Sequence, residues 1–175
     1  MPQGSLAHIC LLVRDLDEAI GRWEAILGVL DPSQIEDPIV RYEEFAGGGD
    51  VVRMAIFASR SGCEIQLLQP LNDGPSARLL AKRGEGLHHI AFTPPDVERA
   101  HRDLAAAGIT LTSEAPMNDP NIPWLEFSFV APSDANGALL ELCTRYAAVE
   151  GQWEPAGGPD RSSDEHAEVA RRVSL

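Results

Sequence analysis

The sequence has 175 residues, 44% of them hydrophobic, with 27 acidic against 14 basic side chains and a formal net charge of −13. That length suits one ordinary domain with a core of its own, and the hydrophobic share is too high for a disordered chain. The acidic excess repels nucleic acid and anionic membranes, and no apolar run approaches the roughly 18 residues of a membrane span. A small anionic substrate stays admissible where basic groups face it, and Arg41, Arg53 and Lys82-Arg83 are the candidates. The opening Met1-Pro2-Gln3-Gly4-Ser5 lacks the basic and apolar regions of a secretory signal, so a cytoplasmic location is expected. Cys10, Cys63 and Cys143 lie in apolar runs with no Cys-x-x-Cys pair, which predicts buried, reduced thiols.

The first strand runs through His8-Ile9-Cys10-Leu11-Leu12. A helix opens at Asp15, with Glu18 three residues on in a capping-box pattern. Leu16, Ala19, Ile20, Trp23 and Leu27 then share one face, and Gly28 closes it. Strand-like runs at 39–45, 51–58 and 63–68 follow, separated by Gly47-Gly48-Gly49-Asp50 and Ser61-Gly62. A linker over 70–85 carries a short helix near 76–82. The pattern then restarts. A strand through His89-Ile90-Ala91-Phe92 leads to a helix opened by Asp96 and closed by Gly108, then to strand-like runs at 109–113, 124–129 and 138–143. The sequence therefore predicts an α+β fold of two β-α-β-β-β modules, about 5–69 and 86–145, within a domain spanning 1–146. Residues 147–175 read as a polar, mobile tail, with room for a short helix over 166–173.

The modules are copies of each other. His8, Ile9, Asp15 and Ala19 recur as His89, Ile90, Asp96 and Ala100 at one constant offset. The repeat extends to the last strand of each half, where Glu64-Ile65-Gln66-Leu67-Leu68 lies over Leu139-Leu140-Glu141-Leu142-Cys143. A lone His or Glu in an apolar strand is usually a hydrogen-bonded core residue. Four polar residues at equivalent module positions point instead to a shared site. Strand alternation lets His8 and Gln66 share an inner wall with His89 and Glu141. Two imidazoles with two oxygen donors suit a borderline divalent ion such as Co²⁺, Ni²⁺, Zn²⁺ or Mn²⁺. His88 is expected on the opposite face from His89, in a structural role.

Three segments carry a family resemblance: Gln66-Leu67-Leu68-Gln69-Pro70-Leu71-Asn72-Asp73, Gly86-Leu87-His88-His89-Ile90-Ala91-Phe92 and Gly137-Ala138-Leu139-Leu140-Glu141-Leu142. They resemble the methylmalonyl-CoA epimerases of the vicinal oxygen chelate (glyoxalase/bleomycin-resistance/dioxygenase) superfamily, over roughly residues 5–145. The resemblance implies a curved, half-barrel mixed sheet around a divalent metal, often cobalt, held by His8, Gln66, His89 and Glu141. It implies an enzyme, in a homodimer, that abstracts a proton next to the carbonyl of a carboxylate-bearing acyl thioester, such as a CoA thioester, with Glu141 as base. Some bacterial epimerases carry a Glu as second acid/base where this chain has Arg53, or within a residue of it. A guanidinium facing the pocket there would bind a substrate carboxylate or phosphate. The alternatives are another reaction of the superfamily, a glyoxalase-type isomerisation or a secondary-metabolism lyase, and a resistance protein that sequesters a ligand.

Overall fold

The computed structural model of the protein describes residues 5–59 and 62–156. Its first strand, β1 (Ser5–Leu12), buries His8, Cys10 and Leu12 on one face and leaves Ile9 and Leu11 partly covered on the other, the two-residue period of a pleated strand. Helix α1 (Leu16–Leu30) follows, then β2 (Val40–Gly47), β3 (Asp50–Phe57) and β4 (Glu64–Pro70). After the connecting helix α2 (Pro75–Arg83) the order repeats as β5 (Gly86–Thr93), α3 (Val97–Ala106), β6 (Met117–Asp119), β7 (Ile122–Val130) and β8 (Leu140–Cys143). Among the described residues no helix is long and apolar enough to cross a membrane.

Both module helices start as their caps predict. Asp15 accepts the Glu18 N–H at 2.9 Å and Asp96 accepts the Arg99 N–H at 2.7 Å, each satisfying a donor the helix leaves unpaired. Helix α1 runs past the expected stop at Gly28 to Leu30, where the Asp31 N–H closes on the Leu27 carbonyl. It lays Leu16, Ile20 and Leu27 on Ala55, Phe57 and Leu67, covering the outer face of the sheet. The inner face carries a second core, in which Cys10, Leu12, Val52, Met54 and Leu68 meet Leu125 and Trp153.

The eight strands form one curved mixed sheet in the order β2-β3-β4-β1-β5-β8-β7-β6. Within each module the first and last strands pair in parallel, β1 with β4 and β5 with β8. Antiparallel pairing of β1 with β5 joins the modules. The sheet curls until its two edges approach: buried Asp119, at the end of β6, accepts the Ala46 N–H of β2. At that seam an added Cβ on Gly47 would collide with the Phe127 ring, so the present packing of that ring on β2 depends on glycine.

Two segments depart from expectation. The strand expected at 109–113 is reduced to a single bridge between Leu111 and Val130, and the edge strand forms at Met117–Asp119 instead. The chain bends out over Ser113 to Pro116 between these points, and Pro116 has no N–H to give to a ladder. The second departure lies past the expected boundary at 146. Strands β9 (Tyr146–Val149) and β10 (Gln152–Pro155) form a hairpin. Glu150 and Gly151 both take positive φ at its turn, +50° and +78°, as a tight hairpin requires. Trp153, 7% exposed, stacks on Tyr146 and Tyr42 at centroid distances of 4.7 and 5.2 Å. One indole outweighs the polar residues around it, because aromatic side chains bury the most apolar area. The rest of the expected tail, including the helix at 166–173, lies outside the described residues.

The hairpin therefore belongs to the fold. Trp153→Ala should cost about 3–5 kcal/mol in urea unfolding, as core aromatic truncations do. A chain ending at residue 145 should melt well below one ending at 156, and equal melting temperatures would remove the hairpin from the core.

Candidate metal centre

Sheet register places the predicted donors. In the first module His8 pairs with Glu64 and Cys10 with Gln66, so Gln66 is diagonal to His8. In the second, Ala91 pairs with Glu141, which puts Glu141 diagonal to His89 by the same offset. Across the module junction Cys10 pairs with His89, making His8 and His89 diagonal neighbours too. Diagonal neighbours on one face are within reach of long side chains. His8 Nε2 and His89 Nε2 lie 2.9 Å apart, and Glu141 Oε2 is 2.7 Å from His89 Nε2 and 3.3 Å from His8 Nε2. All three residues are buried, and with Gln66 they line a cavity of about 330 Å³. Apart from these groups its walls are mostly apolar, including Phe45, Val52, Met54, Phe127, Phe129 and Trp153.

The charges follow from this burial. Burial pushes the Glu141 carboxyl up, but His89 and His8 outweigh it and hold the group well below the ordinary carboxylate range. Burial lowers His89 against the pull of Glu141. Glu141 thus stays ionised and His89 resists charging, the protonation states in which these groups bind a metal.

Behind each histidine runs a hydrogen-bonded arm. His8 Nδ1 lies 2.8 Å from the Tyr146 hydroxyl, which donates to Glu64 Oε2 at 3.0 Å. His89 Nδ1 lies 2.8 Å from His88 Nδ1, His88 Nε2 lies 3.0 Å from Ser76 Oγ, and Ser76 Oγ donates to Asp50 Oδ2 at 2.7 Å. His88 does not take the opposite face expected for it. The β1–β5 register passes from Cys10 opposite His89 to Leu11 opposite Leu87, so His88 is the extra residue of a bulge. The bulge turns its ring to the cavity side. Burial lowers its pKa to about 3, the neighbouring His89 adds to that, and Glu141 opposes it. Of the other arm residues, Glu64 had a signal, the two-residue spacing to Gln66; a bulge, a linker serine and a tyrosine beyond the repeat left none.

The fold agrees with what the chain is related to. The Glyoxalase/Bleomycin resistance protein/Dioxygenase superfamily profile matches residues 7–122. The chain belongs to this superfamily. It is 30% identical over 142 residues to the human mitochondrial methylmalonyl-CoA epimerase, covering 79% of this chain and 73% of that one. It is 28% identical over 141 residues to the uncharacterized protein YqjC of Bacillus subtilis (strain 168), covering 79% and 90%. A Streptomyces coelicolor methylmalonyl-CoA epimerase variant in complex with 2-nitronate-propionyl-CoA superposes with a TM-score of 0.64 at 28% identity, covering 85% of this chain and 99% of that one.

The residues of this superfamily member fit a divalent metal. Gln66 gives its amide N–H to the Met54 sulfur at 3.3 Å, while its buried Oε1 has no hydrogen-bond partner among the described residues. A buried acceptor without a partner costs about 1–3 kcal/mol, and a cation beside it would remove that cost. Cys10, His88 and His89 form a second group of converging donors. Burial and the charge of Glu141 push the Cys10 thiol well above its ordinary value, and a protonated thiol is a poor ligand. The His8–His89–Glu141 set, with its ionised carboxylate, is the stronger.

Arg53 is not brought to this site. Odd-numbered positions of β3 face α1, so Arg53 points the same way as Ala55 and Phe57. It donates to Glu43 at 2.7 Å and to Asp17 at 3.3 Å, beside Arg41, on the outer surface. These guanidinium bonds lower the Glu43 carboxyl, chiefly through Arg53, and the Asp17 carboxyl, chiefly through Arg41. A carboxyl lowered in the folded state contributes stability above its unfolded pKa, and that stability is lost as pH falls through the folded value. Arg53→Ala should therefore lower Tm more at about pH 7 than at about pH 3, and less in high salt. It should leave bound Co²⁺ unchanged; loss of metal in this variant would return Arg53 to the site.

Proposed function

We propose that the protein is an epimerase or isomerase that moves a proton at the carbon next to the carbonyl of a carboxylate-bearing acyl thioester, with a divalent metal among His8, Gln66, His89 and Glu141. The observation that carries this reading is the meeting of two imidazole Nε2 atoms and a carboxylate oxygen, 2.7–3.3 Å apart, in a cavity whose walls are mostly apolar. Kinship with methylmalonyl-CoA epimerases supports the reaction class. The acyl-CoA compound bound to the Streptomyces relative supports a CoA thioester as substrate. A Co²⁺, Ni²⁺, Zn²⁺ or Mn²⁺ ion, when bound, supplies Lewis-acid stabilisation of negative charge developing on a carbonyl oxygen.

The chain's own residues supply the rest. Glu141, whose carboxylate lies beside both imidazoles, takes the proton. Phe45, Met54, Phe127 and Phe129 exclude water from the reacting carbon, and with water gone each charge interaction there strengthens. Among the described residues the acidic groups lining the cavity are Asp50 and Glu141, and Asp50 is engaged by the Ser76 N–H and hydroxyl. That observation favours a second reading within the same chemistry, a one-sided isomerisation in which Glu141 both takes and returns the proton.

Incubating the Co²⁺-loaded protein with one epimer of methylmalonyl-CoA in D₂O should replace the α-proton with deuterium. Inversion at that carbon marks an epimerase; exchange with retention marks the one-sided reaction. Glu141→Gln should slow exchange about 10²–10⁴-fold, the usual worth of a positioned base, while its amide oxygen keeps part of the metal. Absence of exchange with all four metals would leave only membership of the superfamily.

A further inference from the structure

We propose that two hydrogen-bond arms of fixed polarity, Tyr146–Glu64 behind His8 and His88–Ser76–Asp50 behind His89, hold both histidines in the Nδ1–H tautomer and aim both Nε2 lone pairs into the cavity. The purpose of the arms rests on the metal reading above; their polarity rests on the hydrogen-bond geometry together with accepting carboxylates and a neutral His88.

Polarity propagates from the carboxylates inward. Asp50 accepts from Ser76 twice, from the backbone N–H at 3.0 Å and from the hydroxyl at 2.7 Å. An ionised carboxylate only accepts, so the single Ser76 hydroxyl proton is committed to Asp50. Ser76 Oγ must then accept from His88, which fixes the His88 proton on Nε2. A neutral imidazole has one donor and one acceptor. His88 Nδ1 therefore accepts from His89 Nδ1, and the His89 proton sits on Nδ1. The other arm obeys the same logic in fewer steps. The phenolic proton of Tyr146 goes to Glu64, so the Tyr146 oxygen accepts from His8 Nδ1–H.

Space has been left for these groups. A Cβ on Gly74 would collide with Asp50 Oδ1 and crowd the Gly49 carbonyl at 2.8 Å, so the carboxylate's place beside Ser76 is fitted to a residue without a side chain. Ser76, at the start of α2, is 1% exposed, which gives the linker a part in the site. Tyr146 lies in the terminal hairpin, which ties β9 to His8. Tyr146, His88, Ser76 and Asp50 are thus positioning residues that act through the two histidines.

The test uses the ¹⁵N-labelled full chain, first freed of metal with chelator. Imidazole nitrogen correlations should show His88 protonated on Nε2 and bare on Nδ1; the reverse tautomer overturns the arm. Titration with Co²⁺ alone should then give affinities about 10–100-fold weaker for Tyr146→Phe and His88→Leu, the usual worth of a ligand's hydrogen-bond partner. His88→Gln, whose amide oxygen can accept from His89 Nδ1–H, should recover most of the loss. Equal losses in His88→Leu and His88→Gln would mark a packing role and overturn the assignment, as would unchanged affinity in Tyr146→Phe. If His88→Leu fails to fold, Ser76→Ala decides, since without the serine oxygen His88 should lose its Nε2–H preference. Wild-type protein that binds no Co²⁺ would remove the metal reading, while the nitrogen spectra would still decide the arms.

Discussion

The antiparallel pairing of β1 with β5 is the contact on which the rest depends. It joins the modules, and its register alone brings His8 beside His89. Side chains alternate faces along a strand, so a one-residue slip would send either histidine to the helix-covered face. The slip is prevented on both sides. Leu12 and Ala91 are buried on the inner face, while Leu11 packs against the core under α1. The parallel pairs β1–β4 and β5–β8 then only have to deliver an oxygen donor at the same offset in each half.

That dependence explains what could be read in the sequence. The strand and helix of each module carry their own periodicity and caps, and the His and Gln/Glu positions recur at module-equivalent places. The convergence of His8, His89 and Glu141 was legible for that reason. What was not legible breaks the repeat. The bulge at His88 changes faces without changing composition, and the terminal hairpin hangs on Trp153 in a polar stretch. Arg53 is a different case. Alternation along Val52-Arg53-Met54-Ala55 already sets it opposite the inner residues Val52 and Met54, and the analogy with an epimerase acid/base position overrode a physical signal that was correct.

The cavity wall gives the polar cluster its strength. With Phe127 pressed against Gly47 and Trp153 closing the hairpin end, the imidazoles and Glu141 sit in surroundings of low dielectric, where charge interactions are several times stronger than in water. The same surroundings make an unpaired polar group expensive. The far ring nitrogens of both histidines are accordingly bonded, and the near ones converge with Glu141. The arms reach outward to Glu64 through Tyr146 and to Asp50 through His88 and Ser76.

The difference between the two modules at the donor position bears on substrate choice. Gln66 and Glu141 occupy equivalent places, yet one is neutral and the other anionic. Two carboxylates in one buried site would raise each other's pKa, and one would take a proton. A single carboxylate avoids that conflict. A divalent ion among two neutral imidazoles, an amide oxygen and one carboxylate would keep one net positive charge, because only Glu141 offsets it. Residual charge of that sign, focused in an apolar cavity, would attract an anionic substrate locally although the chain as a whole carries −13. Among the described residues no arginine or lysine lines the cavity. In this reading Gln66 does for an anionic acyl group what a cationic side chain such as Arg53 was expected to do, by leaving a metal's charge uncancelled.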